Sequence, residues 1–172
     1  MDYESIVVGV MSSIVSSFLF VGLMFTMRPK LVISDLIART SFDGKKVFII
    51  KIINNSWWKL YDIHTELTHL RLENVTGGQN VRSKHLALLT NHLWSVNSLH
   101  GWRRDINAEY AVLCVCLDDL DVLWTNNSML EFCVIAKHSF SGFNRLVKKR
   151  FYRAQTAIKD GSFQFGNSME ID

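Results

Sequence analysis

The pattern of hydrophobic positions divides the chain into two parts near Pro29. Before it, Ile6–Met27 is an uncharged stretch of 22 residues, interrupted only by small or hydroxylated side chains. A helix of that length reaches roughly 33 Å at about 1.5 Å per residue, enough to cross the hydrocarbon core of a bilayer. After it, short β-branched and aromatic runs alternate with turn residues. The pattern predicts one transmembrane helix with its flanks in residues 1–30 and a β-rich domain in residues 31–172.

The runs after Pro29 are spaced like the strands of a sandwich. No helical periodicity separates them, apart from one short helical turn at 155–160, and this favours an antiparallel arrangement. The fold class is therefore predicted as mainly β, with one N-terminal transmembrane helix followed by an antiparallel β-sandwich. The predicted strands are Lys46–Asn54, Leu60–Leu72, His85–Leu89, Tyr110–Leu117, Met129–His138, Phe143–Tyr152 and Ser162–Phe165.

The distribution of charge orients the predicted span. Residues 1–27 contain two acidic residues and no Lys or Arg, so all 19 basic residues lie in 28–172. Arg28 and Lys30 follow the span directly, and an excess of basic residues marks the cytoplasmic flank of a transmembrane helix. The N-terminus is therefore predicted outside and the domain in the cytoplasm. A cleaved signal peptide has a basic first segment and a shorter apolar core, so we expect the helix to be retained in the cell membrane.

Four serines give the predicted helix one polar stripe. Ser12, Ser13, Ser16 and Ser17 stand at positions i, i+1, i+4 and i+5, which share one side of a helix. Such a stripe lines a water-filled pore or forms hydrogen bonds to neighbouring helices. In a lone anchor, the same hydroxyls bond back to carbonyls of their own helix. The stripe alone leaves both interpretations open.

Several segments resemble one known family. They are Arg28-Pro29-Lys30, Leu31-Val32-Ile33-Ser34, Asp43-Gly44-Lys45, Ile50–Asn54, Glu131-Phe132-Cys133-Val134-Ile135, and Ile158, Gly161, Phe163 and Phe165. Over most of 4–165, the chain resembles the inner helix and cytoplasmic immunoglobulin-like domain of inward-rectifier potassium channels. The resemblance implies an immunoglobulin-like sandwich, an inner helix that runs from outside to inside, and a tetramer.

The chain departs from that family at the pore. Compared with the family, it is expected to begin at the inner helix and to lack the outer helix, the pore helix and the selectivity filter. A potassium filter is a Thr-x-Gly-Tyr/Phe-Gly loop whose backbone carbonyls replace the hydration shell of the ion. Thr76-Gly77-Gly78 lies in the β domain and does not supply one. We therefore expect no potassium-selective conduction by this chain alone.

The resemblance leads to the first functional hypothesis, a membrane protein related to these channels. It is an oligomeric ion-conducting or channel-regulatory subunit, gated through its cytoplasmic domain. It assembles as a homo-oligomer, a tetramer by the resemblance, or with a companion channel subunit. Met24 and Phe25 are candidates for an apolar gate that closes by dewetting. Arg28 and Lys30 match family positions beside the bilayer and are candidate contacts to lipid headgroups.

The alternative hypothesis is a single-pass, membrane-anchored β-sandwich that serves as a binding or scaffold module and does not conduct. Fold does not fix function, and sandwiches of this kind commonly recognise partners. Trp57 and Trp58 follow a turn signal. They are expected either at the headgroup level beside Arg28 and Lys30 or inside the sandwich.

Other classes of function lack a recognisable motif. None of the six histidines sits beside a Ser or Cys in a nucleophile motif, so we predict no enzyme activity, no catalytic residue and no cofactor. His64 is expected to make a structural hydrogen bond. Cys114-x-Cys116 with the distant Cys133 lacks further ligands at metal-binding spacing, so no metal site is predicted. A net charge of +3 without a dense basic stripe argues against nucleic acid as a partner, which leaves the lipid bilayer and other subunits.

Overall fold

The computed structural model describes residues 3–100, 107–125 and 127–172. Its first element is one long helix, α1 (Tyr3–Thr26). This helix is long and apolar enough to cross a membrane, as membrane anchors and signal sequences are, and its most apolar part is wholly exposed. The helix ends just before Pro29, whose ring is incompatible with a continuing helix at the preceding residues.

Strands dominate the rest of the described chain, and two single-turn helices join them. The strands are β1 (Leu31–Ile33), β2 (Ile37–Phe42), β3 (Lys45–Asn54), β4 (Leu60–Val75), β5 (Gly78–Leu86), β6 (His92–Val96), β7 (Ala111–Cys116), β8 (Ser128–His138), β9 (Asn144–Phe151) and β10 (Ile158–Asp160), and the short helices are α2 (Leu120–Leu123) and α3 (Ala154–Ala157). The predicted fold class is confirmed: the domain is mainly β, forms two sheets and follows one N-terminal apolar helix.

The first sheet is built around β3. Strands β1 and β2 pair antiparallel with β3, one after the other along one of its edges. Strand β7 pairs antiparallel along the other edge, in a register that runs from Phe48 opposite Cys116 to Ile53 opposite Ala111. Strand β10 lies outside β2 and closes this sheet.

The second sheet is built around β4, the longest strand. Strands β6 and β5 follow one another along one edge of β4, and β8 pairs along the other. Strand β9 pairs with β8 and forms the outer edge. All four of these partners are antiparallel to their neighbours, as expected for strands joined by hairpins and short loops.

The core lies between the two sheets. Alternate residues of the central strands point into it, because successive side chains of a strand face opposite sides of the sheet. Phe48 and Ile50 of the first sheet meet Leu67, Leu130 and Phe132 of the second, and all five side chains are almost fully buried. Each contributes roughly 1.5–3 kcal/mol of stabilisation relative to an exposed side chain.

One strand pair departs from the antiparallel pattern predicted for the whole sandwich. Strand β10 runs parallel to β2, with Ile158 opposite Ile37 and Asp160 opposite Arg39. The chain reaches β10 from β9 of the second sheet through α3, and no hairpin joins β10 to β2. A strand that arrives by such a crossing is free to enter in the same direction as its neighbour.

The segment after β10 covers the outer face of the first sheet. Instead of the strand predicted at Ser162–Phe165, it forms a narrow turn-back in which Phe163 bridges to Ile171. Beneath it lies Lys51, which is only 2% exposed. The ammonium group of Lys51 donates hydrogen bonds to the carbonyl oxygens of Gln164, at 2.7 Å, and Ser168, at 2.8 Å. The segment therefore buries the outer face of the first sheet around Lys51.

Candidate functional site: the junction of helix and sandwich

The end of α1 is attached to the sandwich through two turns of the domain. The three segments that meet there are residues 24–30, the β3–β4 turn at 55–59 and the β8–β9 turn at 138–145. We call these three segments the junction. It contains the predicted gate and headgroup residues, so its geometry bears on both functional hypotheses.

Hydrogen bonds hold the backbone that leaves α1. The Lys30 N–H donates to Ser56 Oγ at 2.8 Å, and the Lys30 carbonyl accepts from the Asn55 N–H at 2.7 Å. The buried Pro29 lies beside it, and its carbonyl accepts a hydrogen bond from Arg145 Nη1 at 2.8 Å. Because proline has a fixed φ and the neighbouring groups are paired, the helix leaves the domain in a defined direction.

Aromatic rings pack around this exit. Phe25, in the last turn of α1, stacks on Phe143 with ring centroids 5.8 Å apart. The guanidinium of Arg28 lies 4.3 Å from the centroid of the Phe25 ring, within the range of a cation–π contact. On the neighbouring turns, Trp58 stacks on Phe140 at 5.8 Å. The junction is thus fixed by ring packing as well as by hydrogen bonds.

Part of this packing is open to the surroundings. Trp57 is 66% exposed and Phe140 is 62% exposed, and Trp58 is half-exposed between them. Arg28 and Lys30 are exposed beside the same rings. We call these five residues the aromatic–cationic surface. Of the two placements expected for the tryptophans, the structure has the exposed one, beside the two cations.

A small cavity of about 200 Å³ lies behind this surface. His138, which is 1% exposed, forms part of its wall. Its Nδ1 accepts a hydrogen bond from the Ser141 N–H at 3.1 Å, and this places the ring proton on Nε2. Burial lowers the pKa of His138, which favours the neutral ring. Nε2 has no hydrogen-bond partner within the described parts of the chain. The full lining is Met27, Arg28, Lys30, Ser56, Trp57, Trp58 and His138.

The four predicted pore-lining residues, Ser12, Ser13, Ser16 and Ser17, all lie on the exposed surface of α1. The Ser13 hydroxyl donates to the Gly9 carbonyl at 2.9 Å, and the Ser17 hydroxyl donates to the Ser13 carbonyl at 2.8 Å. This is the bonding expected for serines of a single anchor helix. The pore-lining role stays a prediction.

The two predicted gate residues lie at the junction rather than on a free helix surface. Met24 is half-buried, and Phe25 is held between Phe143 and Arg28. A ring in that position fixes the helix to its own sandwich. Their role as an apolar gate stays a prediction, as does the contact of Arg28 and Lys30 with lipid headgroups.

Sequence reasoning did not find the contribution of the β8–β9 turn. Phe140 and Phe143 flank Ser141 and Gly142, and two aromatic residues beside a turn glycine are a signal of an exposed aromatic loop. Nothing in the local sequence shows that this loop meets the end of α1, because the two segments are far apart along the chain.

Comparisons with known proteins give no family. No family model matches the chain, and no curated protein matches it. Among solved structures, it is similar to the crystal structure of a FixG-related protein from Vibrio parahaemolyticus, with 10% sequence identity over 73% of this chain and 96% of that chain. The TM-score of 0.27 is too low for an argument about function.

Proposed function

We propose that this chain is a single-pass membrane protein whose β-sandwich is a binding module held against the cytoplasmic face of the cell membrane. Helix α1 crosses the bilayer with its N-terminus outside. The aromatic–cationic surface lies at the level of the lipid headgroups, and the rest of the sandwich is presented to a partner.

The observation that carries the proposal is the position of the aromatic–cationic surface at the exit of an apolar helix. Tryptophan rings are enriched at the membrane–water interface, where one part of the ring is apolar and the N–H is hydrated. Cations near an anionic leaflet contribute about 1 kcal/mol each to attraction. Trp57, Phe140, Arg28 and Lys30 combine both properties where the chain would leave the bilayer.

Retention of α1 is supported by its contacts with the domain. Phe25 stacks on Phe143, and Arg145 donates to the Pro29 carbonyl. Removal of the helix as a signal peptide would leave Phe143 without its stacking partner at the domain surface. The first test is therefore the intact mass of protein extracted from membranes, which should be that of the full chain, 19.8 kDa. A mass reduced by the first 20 to 30 residues would contradict the anchor.

The depth of the aromatic–cationic surface is tested by quenching of tryptophan fluorescence by brominated lipids. For full-length protein in liposomes, the fraction of tryptophan emission that brominated lipid quenches should be smaller in Trp57→Phe and in Trp58→Phe than in the wild type. Trp124→Phe is the matched control, because Trp124 is 6% exposed and lies in the core of the sandwich. Equal quenching in the wild type and in both junction variants would place this surface away from the bilayer.

The orientation is tested by proteolysis of intact and lysed cells that express the protein. Protease added outside should leave the β domain uncut until the cells are lysed. Cleavage within residues 31–172 in intact cells would reverse the orientation and with it the assignment to the cytoplasmic face.

A second candidate is the channel-related oligomer, in which several copies of α1 bundle through the serine stripe. The observation that favours it is that no residue in the most apolar part of α1 is buried, which leaves most of the helix surface open to neighbours. Native mass spectrometry in mild detergent separates the two candidates. A defined tetramer favours the oligomer, and ion leak from liposomes should then disappear in Ser13→Leu with Ser16→Leu. A monomer favours the anchored binding module.

A further inference from the structure

Three potential metal-ligating side chains converge on the surface of the second sheet, outside the junction. Asp62 Oδ1 lies 3.0 Å from His64 Nε2 and 3.1 Å from His92 Nε2. One ligand atom from each residue lies within 4.8 Å of both others. The two imidazole rings have centroids 4.5 Å apart. The group therefore consists of two imidazoles and one carboxylate that already share a small volume.

The fold places these residues by two separate means. His64 of β4 and His92 of β6 are directly opposite one another across the strand pair. The pairing of β4 is irregular between Tyr61 and His64, and Asp62 lies within this bulge with φ of 50°, in the left-handed region. Bulges re-aim side chains and are over-represented next to functional sites. Here the carboxylate is aimed at the two imidazoles.

We propose that Asp62, His64 and His92 form a binding site for a divalent transition metal ion, with zinc as the preferred ion. Zinc sites are built from imidazole nitrogens and carboxylate oxygens, and open sites use three protein ligands plus a water molecule. Imidazole nitrogens suit zinc, copper, iron and nickel, and two imidazoles with one carboxylate are the protein ligands of known open zinc sites.

Two of the three ligand separations are near those of a tetrahedral ion. With bonds of about 2.0–2.1 Å, two ligands of a tetrahedral zinc ion lie roughly 3.3 Å apart. The two measured separations from Asp62 Oδ1 are only slightly shorter, and the ligand atoms of the two histidines lie within 4.8 Å of one another. Coordination through Nε2 leaves the ring proton of each imidazole on Nδ1, and the hydrogen bonds to Asp62 are replaced by bonds to the ion.

The donor atoms of the group suit a cation. Asp62 Oδ1 already accepts hydrogen bonds from both imidazoles. An ionised carboxylate and neutral imidazoles are the forms that bind metal. The side chains of Asp62 and His64 are more than half exposed, so an ion has access from solvent.

The group borders a groove of the second sheet. His64 also lines a groove of about 530 Å³ on the same sheet. Further along this groove, His85 pairs with Glu66, and Cys133 forms part of the wall. A water molecule or a small anionic ligand in the groove therefore has room to reach a metal held by His64.

The test is isothermal titration of ZnCl₂ into the full-length protein in mild detergent, with Co²⁺ absorption as a second readout. We expect one Zn²⁺ per chain, and a loss of affinity of at least about tenfold in His64→Ala, in His92→Ala and in Asp62→Asn. Bound Co²⁺ should show the visible absorption of a tetrahedral site. Asn tolerates left-handed backbone as Asp does, so Asp62→Asn changes the ligand and not the bulge.

The matched control is His85→Ala, which removes an exposed imidazole of the neighbouring strand from outside the group. It should bind Zn²⁺ as the wild type does. Unchanged binding in the double variant His64→Ala with His92→Ala would overturn the proposal. So would an equal loss in His85→Ala, because it would show that zinc binds to surface histidines in general. Circular dichroism of each variant confirms that the sandwich is folded, so a loss of affinity is not a loss of structure.

Discussion

Asn54 joins three parts of the domain beside the junction, and its replacement is the sharpest test of how the junction is held. The side chain is fully buried at the end of β3. Its Nδ2 donates to the carbonyl oxygens of Trp58, at 3.0 Å, and Asn97, at 2.9 Å, with the Val96 carbonyl at 3.3 Å. Its Oδ1 accepts from the Ser56 N–H at 3.0 Å. One carboxamide thus links β3, the turn that carries the tryptophans and the end of β6.

We expect Asn54→Ala to lower the free energy of unfolding by about 3–5 kcal/mol. Alanine removes the side-chain partner of four backbone groups, two of them in buried hydrogen bonds and two in part-buried ones. Each such loss costs about 1–3 kcal/mol where the group is buried and less where water reaches it. That is a large share of the 5–15 kcal/mol typical of a domain. The assay is urea unfolding of the full-length protein in mild detergent, followed by tryptophan emission.

Two further variants show whether the reasoning is right. Asn54→Asp keeps the acceptor for the Ser56 N–H, but sets a carboxylate against carbonyl oxygens, so it should destabilise at least as much as alanine at pH 7. Asn55→Ala is the control, because that side chain contacts only the exposed His100 through its Oδ1 at 2.8 Å among the hydrogen bonds described. It should cost less than about 1 kcal/mol. A cost below 1 kcal/mol for Asn54→Ala, or a tolerated Asn54→Asp, would refute the linking role.

Three other outcomes are expected, two of them in the same unfolding assay and one by hydrogen exchange. Burial lowers the pKa of Lys51, so the unfolded chain binds more protons, and stability should rise with pH from that lowered pKa towards 10.5; Lys51→Met should remove this slope. Gly161→Ala should loosen the C-terminal segment and raise its hydrogen exchange, since φ is 129° and a Cβ would lie 1.8 Å from the Asp172 carbonyl oxygen. Arg150 lowers the pKa of Glu131, so the ion pair stabilises the fold above pH 4.5. The stability difference between the wild type and Glu131→Gln should therefore close as pH falls through the lowered pKa. For Lys51 and for Glu131, a difference between wild type and variant that does not change with pH would contradict the titration argument.

The sequence predicted best those strands whose apolar residues follow the pattern of their burial in the core. Strand β3 and strand β8 alternate or repeat apolar residues because they face the core, and their predicted and observed bounds agree within one residue. Strand β5 was predicted only at His85–Leu89, but it runs over Gly78–Leu86 with eight of its nine residues exposed. It exists because it pairs with β4 through a hairpin, and pairing leaves no hydrophobic pattern in the sequence.

The parts of the candidate site that are formed by residues close together in the sequence were predictable. The helix, its serine stripe and the cations after it are visible in consecutive residues. The junction depends on Phe143 and Arg145 reaching the end of α1, and the metal group depends on His92, which stands 30 residues after Asp62. Strand β6, which carries His92, was not predicted, because its five residues show no clear alternation. Contacts of this kind follow from sheet topology, which a sequence pattern specifies only indirectly.

The backbone at Asp62 separates a role in folding from a role in binding. Among the described residues, Asp43 also has a positive φ, but it lies with Gly44 in the tight turn between β2 and β3, where a hairpin requires that conformation. Asp62 lies inside a strand of 16 residues, where no chain reversal requires it. Sparsely populated backbone conformations of this kind cluster at functional sites. Glycine adopts a positive φ without strain but costs roughly 0.5–1 kcal/mol of backbone entropy in a strand. Asp62→Gly should therefore lower the free energy of unfolding by no more than about 1 kcal/mol, while it weakens zinc binding at least about tenfold. A clearly larger loss of stability would mean that the carboxylate serves the fold through its hydrogen bonds to the two histidines.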